Sequence, residues 1–233
     1  MKLPRETHKT RTAHGKWYGD ACGAAFAMEL IGERWSLLVV RELMFGGLRF
    51  SALRASLPGL SAKVLTERLA ALEGVGVLVR RKLAPPFSAR IYELTEWGYA
   101  AEPILQELGR WAARSPQHDP TLPLSPVSFM LSLRTMFDPG KAGARQARIG
   151  FRFPETAFVA DLSDRRLSIT RTEPEGCDAD FVAPDAPALA AMFYAGMTAR
   201  MVGATIEGDE AEAGRFMAIF ELPEKVAQAP AQA

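Results

Sequence analysis

The stretch SAKVLTERLAALE, from Ser61 to Glu73, sorts its side chains onto two sides of a helix. At about 100° per residue Leu65, Leu69 and Leu72 share one face, and Lys63, Thr66, Glu67 and Ala70 lie opposite them. An ammonium, a hydroxyl and a carboxylate held on one rigid rod can exchange hydrogen bonds with base edges, and a major groove admits one helix. Arg68 sits about 60° off the apolar direction and reaches either a phosphate or an internal ion-pair partner. Downstream, Arg80, Arg81, Lys82 and Arg90 make a basic hairpin suited to a polyanion. Strand alternation puts Arg81 opposite Arg80 and Lys82, so not all of them can touch DNA. The candidate DNA-contacting residues are Arg49, Ser61, Lys63, Thr66, Glu67, Arg68, Arg81, Lys82 and Arg90.

Other chemistries find little support. The three histidines, His8, His14 and His118, lie in segments without apolar periodicity. No carboxylate pair, Cys/His dyad, metal cluster or phosphate loop stands out, so no catalysis, cofactor or metal is expected. The two cysteines, Cys22 and Cys177, cannot make a disulfide framework. Cys22 would fall in the first turn of the first helix, where the amide dipoles favour a thiolate; it is a candidate redox sensor. Its other reading is a small buried residue at a dimer contact. No apolar run approaches the ~18 residues of a membrane span, and the stretch Trp35 to Phe45 is cut by Arg41 and Glu42. The first sixteen residues are basic, and no apolar segment follows them as in a signal peptide. The expectation is a cytoplasmic protein with no membrane insertion.

The elements that must hold these side chains are legible in turn chemistry. A helix over Asp20–Ile31 stops at Gly32, and a second over Glu33–Phe45 closes at Gly46 and Gly47. A third, Arg49–Ser56, ends before Pro58 and Gly59. Ser61 is a helix N-cap, because its hydroxyl can accept from a free first-turn amide. Strands Val77–Leu83 and Ala89–Leu94 flank Pro85 and Pro86, and a last helix over Thr95–Ala113 kinks at Pro103. Short helices, a Pro-Gly turn, a capped helix and a basic hairpin describe a winged helix-turn-helix whose partner is double-stranded DNA.

Charge divides the chain. Residues 1–118 hold 17 Lys and Arg against 11 Asp and Glu, whereas the remainder holds 11 against 16. Four prolines fall between Ser115 and Pro126 at that boundary. The expected organisation is a basic flexible arm over 1–19, a winged helix over 20–114, a linker over 115–126, a second domain over 127–222 and a frayed tail over 223–233. In the second domain period-two patterns from Arg148 give strands, with Asp164-Arg165-Arg166 at a turn. Helices are expected over Val127–Phe137, Pro187–Met197 and Glu210–Phe220, with a strand at Ala204–Glu207 between the last two. The fold class is α+β, with helices packed on an antiparallel sheet.

The segments MELIGERWSLLVVREL, RFSALRASLPGLSAKVLTERLAALEGVGVLVRR and IYELTEWG resemble HxlR-type winged-helix regulators over roughly residues 20–113. That resemblance implies a bacterial-type transcription regulator, usually a homodimer formed through residues 20–31 and 96–113. Cys22 falls where many relatives carry a cysteine, which some use to sense electrophiles or oxidants. Pro85-Pro86-Phe87 departs from a more polar wing tip. Residues 125–222 resemble a sterol-carrier-protein-like domain through Asp180, Gly196, Gly208-Asp209 and their apolar helix positions. This implies an apolar effector near Phe129, Met136, Phe151, Phe153, Met192, Phe193, Met197 and Met201, or a domain that mainly supports assembly. The alternative for the whole chain is a lipid carrier that uses its winged helix for protein contacts. The basic residues Lys63, Arg81, Lys82 and Arg90 argue against it.

Overall fold

A computed structural model describes residues 18–82 and 89–227. Most of the expected basic arm, the Pro85-Pro86-Phe87 tip and the end of the tail lie outside the described residues. The chain forms two compact units. One takes in the residues up to Leu43 together with Gly47–Ala100, and the other Met44–Gly46 and the chain from Ala101 onward.

The first unit runs α1 (Gly23–Ile31), α2 (Ser36–Glu42), α3 (Phe50–Ser56), α4 (Ala62–Gly74), β1 (Leu78–Lys82), β2 (Arg90–Leu94) and α5 (Glu96–Tyr99). Val39, Leu53, Leu65, Leu69, Leu72, Leu78 and Leu94 form its core, each at most 2% exposed. The apolar face expected for α4 is therefore the buried one. Both early helices start later than predicted. Cys22 is the N-cap of α1, and Trp35 turns left-handed, φ 80°, before α2. A non-glycine residue in that region costs about 1–2 kcal/mol, which sequence periodicity does not register. The β1–β2 hairpin is antiparallel, and Leu48 pairs with Tyr92 alongside it.

The predicted kinked helix over Thr95–Ala113 is two helices, α5 and α6 (Glu102–Ala113). Pro103 sits in the first turn of α6, where its missing N–H costs nothing. Thr95 caps the opposite end of α5. Its Oγ1 donates to the Gly76 carbonyl at 2.7 Å and accepts from the Gly98 amide at 3.0 Å. A Cβ on Gly98 would run into the Val77 carbonyl oxygen, so α5 packs this closely only with glycine there.

The second unit continues from α6 with α7 (Pro126–Met136), α8 (Pro139–Ala142), β3 (Ala147–Phe153), β4 (Thr156–Ser163), β5 (Arg166–Thr170), β6 (Ala179–Val182), α9 (Ala186–Ala195), α10 (Ala199–Val202), β7 (Thr205–Gly208) and α11 (Glu210–Met217). The short α8 and α10 have no counterpart in the sequence reading. The strands form one sheet in the order β5-β4-β3-β6-β7. The expectation of an antiparallel sheet is corrected: β3 and β6 run parallel, with Ile149 beside Ala179 and Arg152 beside Val182. Alternation fixes which face a side chain takes but not the direction of the neighbouring strand. The β4–β5 turn at Asp164 and Arg165, both at positive φ, is as expected.

Helix α6 belongs to this second unit, whereas the sequence reading placed it with the winged helix. Glu102 on α6 accepts from Arg134 Nη1 at 2.8 Å, and Arg110 donates to the Thr135 carbonyl on α7. Lys225 Nζ donates to the Ala113 and Ser115 carbonyls at 2.9 and 3.0 Å, capping the helix with a cation where its dipole is negative. Val226 donates its amide to the Arg114 carbonyl, so the tail is tied down at that residue.

The two sheet faces differ. Phe151 on β3 and Phe181 on β6 pack against Phe129 of α7, Phe193 of α9 and Phe216 of α11. The other face carries Arg148, Arg152, Asp161 and Asp180 in ion pairs. The loop 171–178 returns across it, held by Arg152 on the Pro174 carbonyl and Arg148 on the Glu175 carbonyl. Gly150 makes room: a Cβ there would overlap Asp180 Oδ1 and lie 2.7 Å from Pro174 Cβ.

Candidate nucleic-acid interface

Helix α4 starts where its sequence says. Ser61 is extended, and its Oγ accepts from the Val64 amide at 3.2 Å. With Leu65, Leu69 and Leu72 buried, Lys63, Thr66, Glu67 and Ala70 are all exposed. Among the described residues Lys63 and Glu67 have no hydrogen-bond or ion-pair partner. The Thr66 hydroxyl donates to the Ala62 carbonyl at 2.9 Å, which leaves its oxygen as an acceptor. Arg68 lies 3.5 Å from Glu33, the internal ion pair that was one of its two readings. Arg49 is exposed at the N-cap of α3, and Arg54 is exposed one helical turn on.

In the hairpin Arg80 stands opposite Tyr92 and Lys82 opposite Arg90, so Arg80, Lys82 and Arg90 share a face. Two cations directly across a strand pair repel each other, at a cost an anionic partner relieves. Arg80 also reaches Glu73 near the end of α4 at 3.6 Å, so that face adjoins the helix. Arg81 takes the opposite face and pairs with Glu93 at 2.9 Å. The wing thus brings Lys82 and Arg90 together with Arg80, and Arg81 is turned away from them. Sequence reasoning left Arg80 and Arg54 out of the candidate set. Alternation with Lys82 was the signal for Arg80; for Arg54 there was none.

Cys22 is exposed, and the Ala25 and Ala24 amides hold its thiol below the usual range. Burial, with Asp180 beside it, pushes the Cys177 thiol up.

The residues expected around an apolar pocket are not all brought together. Phe129, Phe151, Phe153, Met192 and Phe193 are buried, and Phe129 meets Phe151 and Phe193 ring to ring at 6.2 and 5.3 Å. Met136 and Met197 are half-buried, and Met201 is 66% exposed. A cavity of about 500 Å³ opens elsewhere in this unit, between α6, α7 and the β4–β5 hairpin, and none of the eight lines it. Among the described residues no helix is long and apolar enough to cross a membrane, and no group of three His, Cys, Asp or Glu is arranged to hold a metal ion.

Residues 30–119 match the family described as HxlR-like helix-turn-helix. The HTH-type transcriptional regulator YvaP of Bacillus subtilis is 46% identical over 87 residues, which is 37% of this chain and 80% of YvaP. YodB, an HTH-type transcriptional regulator of the same organism, is 38% identical over 86 residues, 37% of this chain and 77% of YodB. The solved reduced form of YodB superimposes with a TM-score of 0.39 at 34% identity, covering 43% of this chain and 100% of that one. These relatives are transcriptional regulators and not enzymes. Through its winged helix the chain belongs to the HxlR-like helix-turn-helix family and is a transcriptional regulator of that kind.

Proposed function

We propose that the protein acts as a cytoplasmic homodimer that lays α4 in the major groove of a palindromic operator. The wing then follows the adjoining backbone or minor groove. The observation that carries this reading is Lys63, an exposed cation with no partner among the described residues, on the face of α4 opposite its buried leucines. Glu67 and the Thr66 oxygen complete the base-reading set, and Arg49, Lys82 and Arg90 supply charge for phosphates.

A second copy of the chain covers the apolar stripe of α6. Ile104, Leu108 and Trp111 recur at helical spacing on that helix, and Trp111 is 75% exposed. On α1, Phe26 and Met28 are also exposed. The second unit, in this reading a sterol-carrier-like domain, receives an effector with an apolar body. The test is a DNA-binding titration of the wild type and Lys63→Ala. If Lys63 bonds a base edge, the substitution costs about 1–3 kcal/mol on the operator alone. Equal affinity of both proteins for every duplex contradicts the assignment of α4.

A further inference from the structure

We infer that the cavity between α6, α7 and the β4–β5 hairpin is the effector site, and that it takes a small organic carboxylate with a compact apolar body. Its volume of about 500 Å³ is in the range of small-molecule sites. Its charges cancel except at one place. Glu102 is satisfied by Arg134 Nη1 at 2.9 and 2.8 Å and by Gln106 Nε2 at 2.9 Å. Arg134 spends its other terminal nitrogen on the Ile169 carbonyl at 2.5 Å. Asp161 is held by Arg148 at 2.6 Å. Arg166, at the start of β5, is exposed at the open rim of the cavity and has no carboxylate within reach among the described residues. An arginine fork with no counter-ion in a concave site selects a planar anion.

The neighbours of Arg166 fit the rest of such a molecule. Ser163 stands directly across the hairpin and Ser168 two residues along, so both hydroxyls, exposed at the rim of the cavity, lie on the same side of the sheet as Arg166 and Asp161. Neither hydroxyl has a partner among the described residues, so both can donate to a carboxylate oxygen. Phe137 and Leu167 supply apolar lining for the body. A long acyl chain or a sterol does not match this polar rim. On the α6 side the cavity meets Glu102 and Gln106, on the same helix as the exposed Ile104, Leu108 and Trp111. A ligand bridging Arg166 to α6 therefore bears on the helix assigned to the second copy. That link to DNA affinity rests on the reading in the preceding section; the binding itself does not.

The test uses the full chain and three probes, benzoate, cyclohexanecarboxylate and hexanoate, with benzamide and cyclohexanecarboxamide as uncharged counterparts. Calorimetric titration should show carboxylate binding at millimolar concentration or below and none of the amides. Arg166→Ala should weaken it by about tenfold or more, with Arg166→Lys between. Should Arg166→Ala melt early, the wild-type amide spectrum decides: benzoate should move Gln106, Ser163 and Arg166 to Ser168. No carboxylate binding, equal binding of acids and amides, or shifts confined to other residues overturns the site. Lys63→Ala should weaken operator binding and keep carboxylate binding, whereas Arg166→Ala should keep operator binding and lose the several-fold response to benzoate. Carboxylate binding at Arg166 with no change in operator affinity would contradict the regulatory link and leave the site standing.

Discussion

The two cysteines sit in opposite electrostatic surroundings and should react in that order. The first amides of α1 favour the Cys22 thiolate, whereas burial and Asp180 disfavour that of Cys177. Alkylation by iodoacetamide, followed peptide by peptide across pH, should reach half its limiting rate at a lower pH for Cys22 than for Cys177. The reverse order would mean that the N-cap geometry is not kept in solution. Lys63 and Arg68 are five residues apart on one helix, yet their substitutions should act differently. Arg68→Ala removes a partly exposed ion pair with Glu33, a stability effect of at most about 1 kcal/mol that leaves the salt dependence of DNA binding unchanged. Lys63→Ala should weaken binding with little change in melting temperature; if its contact is to a phosphate, the salt slope falls by about one. A melting-temperature and salt titration of both variants separates the roles.

At the scale of elements, the sequence was readable where a local signal decides the structure. The Ser61 cap, the Pro58-Gly59 turn and the leucine spacing of α4 act within a turn or two of chain, and the helix forms where they place it. The allegiance of α6 was not readable, because it depends on Arg134, Thr135 and Lys225, distant in sequence. The face of the wing was half readable: alternation separates Arg81 from Lys82, but only the Arg80–Glu73 contact says which side adjoins α4. Two substitutions test the packing of these elements. Gly98→Ala drives a methyl into the Val77 carbonyl and should cost about 1–3 kcal/mol in chemical denaturation. Trp111→Glu puts a charge in the apolar stripe of α6. If a second copy covers that stripe, the variant should sediment as a monomer at a concentration where the wild type is dimeric. An unchanged sedimentation coefficient would place the contact elsewhere.

At the scale of the whole molecule, composition suggested a division at the proline-rich stretch, whereas the chain divides into its two compact units ahead of it, at Ala100 and Ala101, with Met44–Gly46 joined to the second. The eight residues expected around a pocket were chosen because Met and Phe suit irregular apolar ligands. The same property fills a core, and Phe129, Phe151 and Phe193 do that here. The parallel pairing of β3 and β6 depends on the long return of residues 171–178, which no pattern within either strand reveals. The central claim, that α4 reads DNA as part of a symmetric dimer, is tested most directly by selecting bound duplexes from a random library with the wild type and with Lys63→Ala. The wild type should enrich an inverted repeat whose half-sites lie about 34 Å apart, one turn of DNA, with affinity falling steeply as salt rises. The variant should lose the enrichment. A wild-type selection that yields no repeat, or the same repeat at undiminished affinity from Lys63→Ala, would contradict it.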